Sequence, residues 1–115
     1  MDATETVAAL GALAQESRLA VFRLLVQQGP GGLPAGAIGE RVGIPPTTLS
    51  FHLAQLSHAG LVLSRRNGRS IVYAAHYAGM QDLIGFLLEN CCQAAGCGPR
   101  RGPARPRAIK KQARS

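Results

Sequence analysis

The sequence predicts a mainly α domain with one β-hairpin (α+β), in the element order α-α-α-α-β-β-α. Three observations support this fold class. Apolar residues recur at helical spacing in five segments, Asn67-Gly68 separates two strand-like runs, and Gly or Pro marks most boundaries. A chain of 115 residues can bury one small core but cannot enclose a large active site. We therefore expect a single folded domain over residues 1–95, followed by a tail.

The first three helices are predicted from short amphipathic segments. Residues 4–14 place Val7, Leu10 and Leu13 on one side of a helix. Ser17 is a candidate cap for a second helix. The apolar stripe of that helix consists of Leu19, Phe22, Leu25 and Val26. A Gly-rich loop over residues 28–32 leads to a third helix at 35–42, with Ile38 and Val42 inward, and Gly43 ends it.

A fourth helix is predicted from residue 46 to 57, because Pro45-Pro46 can begin a helix but cannot continue one. Three leucines spaced i, i+4 and i+7 should face the core, namely Leu49, Leu53 and Leu56. The rest of its surface consists of Thr47, Thr48, Ser50, Phe51, Ala54 and Gln55. Gly60 suits the end of this helix.

A β-hairpin and a last helix complete the domain. Residues 61–66 and 70–75 are rich enough in apolar and β-branched residues to be strands. Asn67-Gly68 is predicted as the turn, because both residues tolerate positive φ. A fifth helix is predicted over residues 77–91 and is too apolar to be a solvated appendage. One of its faces should pack on the domain and another on a second copy of the chain, giving a homodimer.

The formal net charge of +7 lies wholly in the last twenty residues. Residues 1–95 hold six arginines and six acids, so their charges cancel. Three of those six arginines lie in the hairpin: Arg65, Arg66 and Arg69. Residues 96–115 contain seven basic residues and no acid, and we predict that they form a disordered basic tail.

Several function classes are unfavourable. No apolar run approaches the roughly 18 residues of a membrane span, and no secretory signal is recognisable, so no membrane partner and a cytoplasmic location are expected. An odd count of three cysteines fits reduced thiols. The carboxylates are scattered, and no Ser or Cys has a nearby His in a nucleophile-like context, so an enzyme is not expected. His58 and His76 are expected on the surface near turns.

This order of elements, over about residues 8–92, resembles the winged helix–turn–helix repressors of the ArsR/SmtB family. Residues 13–19 resemble the start of the family's second helix. The segments that resemble its recognition helix and wing are Ser50-Phe51-His52-Leu53, Leu56, residues 59–62, Arg69 and Tyr73. Two positions depart from the family pattern, since Pro45 replaces a common capping Ser and Phe51 replaces a common Arg.

The resemblance implies a homodimer that binds double-stranded operator DNA. The residues it places on the groove or the flanking backbone are Thr47, Thr48, Ser50, Phe51, His52, Arg65, Arg66 and Arg69. The alternative interpretation is a solvated helix face and an edge hairpin that carries solubility charges. For His52 taken alone, a structural role or a phosphate contact is favoured over chemistry. A rival of another class is a non-specific nucleic-acid-binding protein driven by the basic tail.

All three cysteines, Cys91, Cys92 and Cys97, fall within seven residues. The first two are expected at the end of the fifth helix, and the third lies in a Gly-containing segment that can return to them. Three thiolates without His suit a soft, thiophilic centre, whereas structural zinc takes four ligands. A branch of the family with a similar cysteine pattern responds to As(III), which implies As(III) or Sb(III) as the inducer. A methylated arsenical on two thiols, thiol oxidation, or cysteines without a role remain alternatives.

Overall fold

The structure, a computed structural model, describes residues 1–94. Its elements in chain order are α1 (Ala3–Leu13), α2 (Glu16–Gln28), β1 (Leu33–Pro34), α3 (Ala35–Val42), α4 (Pro46–His58), β2 (Val62–Asn67), β3 (Ser70–Ala75) and α5 (Tyr77–Leu88). The predicted five helices and hairpin are confirmed. The basic tail predicted over 96–115 and Cys97 lie outside the described residues. In the part described, no helix has the length and apolar character needed to cross a membrane.

The sheet has one strand that the sequence did not predict. Its order is β1-β3-β2, with all pairs antiparallel, and β1 pairs Leu33 with Tyr73 and Pro34 with Val72. Gly32, at φ +71, turns the chain into this pairing where a side chain would meet the carbonyl of Tyr73. A two-residue strand that contains a proline carries no alternating pattern, so only the tertiary pairing defines it.

The tip of the hairpin lies one residue later than predicted. Asn67 pairs with Ser70 and closes the β2–β3 ladder, so the turn residues are Gly68 and Arg69. Only Gly68 of the two predicted turn residues has positive φ, at +66, and the prediction of Asn67 as a central turn residue is wrong. Glycine at the first central position is the arrangement of a type II′ turn, which matches the twist of the two strands.

The core forms where α2, α3 and α4 meet the sheet. The three leucines predicted on the inner face of α4 are buried, as are Ile38 of α3 and Leu61 just before β2. On α2 the prediction was partly wrong: Phe22 and Leu25 are buried, but Val21 replaces Leu19, which is 43% exposed. Burying a leucine or phenylalanine side chain contributes about 1.5–3 kcal/mol, so these few residues dominate the stability of a domain this small.

Helix α1 buries its small residues and exposes its large ones. Thr6, Ala9 and Ala12 face inward, where α1 packs on α2 and α4. The Thr6 hydroxyl donates to the carbonyl of Asp2 at 2.7 Å, so this buried polar group is satisfied. Val7 and Leu10 point outward and are 68% and 42% exposed. Two residues of the apolar side that the sequence identified are therefore left uncovered in the single chain, whereas the third, Leu13, is half-buried against the core.

The helix ends differ from the sequence prediction in two places. Gln15, not Ser17, caps α2, because the Gln15 side chain accepts the backbone N–H of Arg18 at 2.8 Å. Helix α5 ends at Leu88, not at residue 91. The chain then turns through Asn90 and Cys92, both with positive φ, so Cys91 and Cys92 follow the helix and do not end it. Gly43 and Gly60 have positive φ where they were predicted to end α3 and α4.

His76 is half-buried and not the surface residue that the sequence predicted. It precedes α5, and its Nδ1 lies 2.9 Å from the carbonyl oxygen of Gly60, which makes Nδ1 the protonated nitrogen. One turn further on, Gly79 packs so closely on Gly60 that a Cβ there would meet the Gly60 carbonyl. The start of α5 is thus fixed against the connection between α4 and β2.

Candidate nucleic-acid interface and cysteine pair

Helices α3 and α4 form a helix–turn–helix through Gly43, Ile44 and Pro45. Gly43 adopts a left-handed conformation, and its N–H and that of Ile44 both donate to the Gly39 carbonyl, at 2.8 and 3.1 Å. Gly39 allows the turn to pack closely, because a Cβ there would lie 3.0 Å from the Ile44 carbonyl oxygen. Pro46 occupies the first turn of α4, where a missing N–H costs nothing. This local geometry sets the crossing of the two helices.

The outer face of α4 displays hydroxyls and one aromatic ring. Thr47, Thr48 and Ser50 are exposed, and Phe51 is 57% exposed although it is a large apolar residue. The leucines on the opposite face anchor the helix in the core. Hydroxyls can bond to phosphate oxygens or base edges, and an exposed ring or methyl group can contact thymine methyls. The outer face is therefore chemically suited to a major groove.

His52 does not lie on this outer face. It is 7% exposed and faces Arg18 of α2, whose Nη1 lies 3.3 Å from His52 Nδ1. A guanidinium has no acceptor, so the imidazole accepts at Nδ1 and is neutral in this contact. Burial, together with the positive charge of Arg18, lowers the pKa of His52 from its ordinary value. Of the two roles the sequence allowed for His52, its position fits the structural one.

Arg18 was not singled out from the sequence. In addition to the contact with His52, its Nε donates to the Ala12 carbonyl at 2.8 Å, near the end of α1. No short-range pattern reveals a contact between residues 34 positions apart. From the sequence alone, an arginine in the first turn of a helix is expected to be an exposed charge.

The three wing arginines occupy different environments. All are exposed, but Arg65 Nη2 donates to the Gly31 carbonyl at 2.9 Å, so its side chain is held against the loop before β1. The side chains of Arg66 and Arg69 make no hydrogen bond within residues 1–94. Arg69, in the turn, shares a cleft of about 370 Å³ with Ser50 of α4. The cleft joins the wing to the outer face of α4, as a surface that follows a nucleic-acid backbone would require.

Helices α1 and α5 adjoin, and both expose large apolar side chains. We call these residues the α1–α5 apolar set, and they are Val7, Leu10, Ile84, Leu87 and Leu88. On α5 the three positions follow i, i+3, i+4 spacing and so share one side of the helix. Scattered exposed leucines are common on monomers, but a concentration on two adjoining helices marks an interaction surface.

Cys91 and Cys92 bring their sulfurs together just beyond α5. Their Sγ atoms lie 3.4 Å apart, and the Cys91 N–H donates to the Leu88 carbonyl at 2.9 Å, which ties this turn to the end of the helix. Within residues 1–94, no three His, Cys, Asp or Glu side chains are arranged to hold a metal ion. The third predicted sulfur ligand, Cys97, lies outside that range.

A helix–turn–helix with an outer polar face, a basic β-hairpin beside it and an apolar helical surface behind it defines the class of winged helix–turn–helix regulators. Residues 13–65 match a protein family described as a helix–turn–helix domain. The HTH-type transcriptional regulator YceK of Bacillus subtilis, itself uncharacterized, is 42% identical over 78 residues, which cover 68% of this chain and 77% of YceK.

Solved structures agree with this class. An ArsR-like transcriptional regulator from Rhodococcus sp. RHA1 superposes with a TM-score of 0.67 at 26% identity, over 79% of this chain and 82% of that one. A homodimeric winged helix–turn–helix DNA-binding domain from Mycobacterium bovis, a possible ArsR-family regulator, gives 0.61 at 26% identity, over 83% and 88%. The chain belongs to the ArsR family of winged helix–turn–helix transcriptional regulators.

Proposed function

We propose that the protein is a homodimeric transcriptional repressor whose DNA binding is relieved when As(III) or Sb(III) binds Cys91, Cys92 and Cys97. The observation that carries the proposal is the position of the Cys91–Cys92 sulfur pair, 3.4 Å apart, directly after α5. That helix also belongs to the α1–α5 apolar set. The cysteines that would bind the ligand therefore follow directly, in the chain, the helix to which we assign dimer contacts.

The DNA contacts are assigned to the exposed side chains of α4 and the wing. Thr47, Thr48, Ser50 and Phe51 enter the major groove, while Arg66 and Arg69 neutralise flanking phosphates. The proposal gives Arg65 a mainly supporting part, because its guanidinium is already bound to Gly31. In a dimer the two α4 helices read half-sites about 34–36 Å apart, so the operator is an imperfect palindrome.

The dimer is assigned to the α1–α5 apolar set. Its residues are large, exposed and adjacent to no other element that could cover them within residues 1–94. The homodimeric domain from Mycobacterium bovis, which has the same fold, supports this assignment. Apolar burial of this kind is the main source of free energy in permanent homodimers.

The sulfur pair fits a thiophilic ion. With metal–sulfur bonds of about 2.3 Å and bond angles of about 95–110°, two sulfurs on one centre lie about 3.4–3.8 Å apart. The observed 3.4 Å between Cys91 and Cys92 falls at the lower end of that range, and reduction of the disulfide that holds Cys92 would make its sulfur available as a ligand. Four residues separate Cys92 from Cys97, enough chain for a third sulfur to reach the same centre. A soft, trivalent ion that takes three sulfurs satisfies this donor set without a fourth ligand.

Release of DNA follows from the coupling of the thiols to α5. Drawing three sulfurs onto one ion changes the turn that the Cys91 N–H ties to Leu88, and with it the end of the helix. A change in the dimer contacts alters the separation of the two α4 helices. A coupling free energy of about 1–3 kcal/mol lowers operator affinity about 5–150-fold, which is sufficient for derepression.

The test is fluorescence anisotropy of the reduced protein on a duplex enriched from a random pool, titrated with arsenite, then zinc, then peroxide. We expect release by arsenite alone at one equivalent per chain. The variants Cys91→Ser, Cys92→Ser and Cys97→Ser should bind the duplex normally but resist release, whereas Gln93→Ser in the same segment should behave as wild type. If all three cysteine variants still release with arsenite, the inducer site is wrong.

The other outcomes identify the rivals. Release by arsenicals in Cys97→Ser but in neither other variant indicates a methylated arsenical held by two thiols. Release by peroxide that dithiothreitol reverses indicates a redox switch. Removal of residues 98–115 tests the tail: a repressor retains its preference for the enriched duplex, whereas a tail-driven binder loses nearly all affinity.

A further inference from the structure

Arg18 joins three helices at one point. It lies in the first turn of α2, its Nε donates to the Ala12 carbonyl of α1 at 2.8 Å, and its Nη1 donates to His52 Nδ1 of α4 at 3.3 Å. Its backbone N–H is held by the Gln15 side chain. Hydrogen bonds thus hold the arginine at three atoms, namely its backbone N–H, Nε and Nη1. It is a rigid spacer between the last turn of α1 and the inner face of α4.

His52 connects this spacer to the outer face of α4. It is 93% buried and lies next in the chain to Phe51, whose ring meets the imidazole edge-on at a centroid distance of 5.9 Å. The apolar contacts of the same inner face depend little on direction, so a small rotation of the helix costs them little free energy. They are made by Leu49, Leu53 and Leu56. A hydrogen bond is directional, so His52 is the inner-face residue able to fix the rotation of α4 about its axis.

We propose that Arg18 and His52 are positioning residues that set the orientation of α4 relative to α1. This inference rests on the proposed function, in which α1 and α5 join two chains and each α4 reads one half-site. Because Arg18 contacts α1 as well as α4, it fixes the angle of each α4 helix relative to the dimer surface. The pair therefore fixes the separation and rotation of the two α4 helices, although neither residue contacts DNA.

A purely structural role for the pair makes a different prediction. If the contact only satisfied buried polar groups, its loss would lower stability and affinity together. Leucine at position 52 matches the apolar inner face of α4, and Arg18 is half-buried and can exchange its lost partner for water. His52→Leu therefore keeps the fold but removes the directional bond. His52→Asn presents an acceptor oxygen near the place of Nδ1 and should restore the bond.

The experiment measures half-site geometry. The wild-type protein first enriches a palindromic duplex from a random pool. Anisotropy then gives affinities for that duplex and for versions with one base pair added or removed at the centre. We expect His52→Leu to bind the enriched duplex about tenfold more weakly and to discriminate less among the three spacings, with unchanged melting temperature and salt dependence. His52→Asn should recover both properties.

Matched controls separate the pair from general effects. His58→Leu replaces the exposed histidine at the end of the same helix and should behave as wild type. Arg18→Lys keeps the charge but loses one of the two guanidinium bonds, and it should lose spacing discrimination. Arg23→Lys changes an exposed arginine on the same helix and should retain spacing discrimination.

Two results would overturn the inference. One is a His52→Leu protein that discriminates spacings as well as wild type. The other is an affinity loss equal at all spacings and proportional to a fall in melting temperature. A wild-type protein that enriches no duplex at all overturns the repressor proposal itself, and with it this inference, before any variant is compared.

Discussion

The guanidinium of Arg65 donates to the carbonyl oxygen of Gly31 across 2.9 Å. In the sheet order β1-β3-β2, Arg65 lies on one edge strand and Gly31 precedes the other, so the bond spans the central strand. A basic wing residue that the sequence assigns to DNA is, in the free protein, a brace for the base of the wing.

The salt dependence of DNA binding distinguishes a brace from a phosphate contact. Arg66→Ala should reduce the slope of log affinity against log salt by about 0.9, because one phosphate contact is lost. Arg65→Ala should leave that slope nearly unchanged, since its guanidinium is already engaged. Anisotropy titrations at four salt concentrations measure both. Equal losses of slope would show that Arg65 leaves Gly31 for the backbone on binding.

Stability should fall on the acid side of neutrality. Burial and the charge of Arg18 lower the pKa of His52 from its ordinary 6.5 in the folded chain. Above that value His52 is neutral in both states and contributes no pH dependence. Below it the unfolded chain takes up a proton that the folded chain resists, so stability declines as pH falls toward the lowered pKa. Urea unfolding at pH 7.5 and 5.5 should show a smaller decline for His52→Asn than for wild type, whereas His58→Asn should match wild type.

Association should depend on the α1–α5 apolar set. Leu87→Asp places a charge where apolar burial is expected, and the dimer should weaken at least about 100-fold, since an unpaired buried charge costs several kcal/mol. Leu63→Asp is the matched control, because Leu63 is also exposed, at 53%, but lies on the wing. Sedimentation equilibrium should find Leu87→Asp monomeric and Leu63→Asp dimeric. A dimeric Leu87→Asp protein would move the interface elsewhere.

Two glycines of α5 should respond oppositely to alanine. At Gly79 a Cβ meets the Gly60 carbonyl and His76 Nδ1, so Gly79→Ala should cost about 1–3 kcal/mol. At Gly85 no atom of the described residues 1–94 lies within 4 Å of an added Cβ, so Gly85→Ala should gain about 0.5–1 kcal/mol from helix propensity. Urea unfolding compares the two. Destabilisation by both would mean that Gly85 lies against a partner chain.

The sequence predicts most of the fold because its signals are local. The leucines of α4, the helix stop at Gly43 and the existence of the hairpin follow from periodicity and turn chemistry. The errors are also physical. A two-residue strand at Leu33–Pro34 exists only through its pairing with β3, and the early end of α5 depends on left-handed residues at Asn90 and Cys92.

The candidate interface was predicted less completely. Exposure of Thr47, Thr48, Ser50 and Phe51 follows from the burial of the leucines opposite them. The inward position of His52, by contrast, depends on Arg18, which is 34 residues earlier, and the engagement of Arg65 depends on Gly31, which is equally distant. Contacts of that separation have no signature in a single sequence, so side chains that could bind DNA cannot be told from those that hold the protein together.

The short strand β1 runs without a break into α3, since Pro34 ends the strand and Ala35 begins the helix. The base of the hairpin and the first helix of the helix–turn–helix are therefore expected to move together as a rigid unit. A hairpin hinged freely at its base could fold away from a duplex and leave the helices behind. In this chain a rotation of the hairpin also tilts α3. The hairpin and the helix–turn–helix must therefore bind and release DNA together.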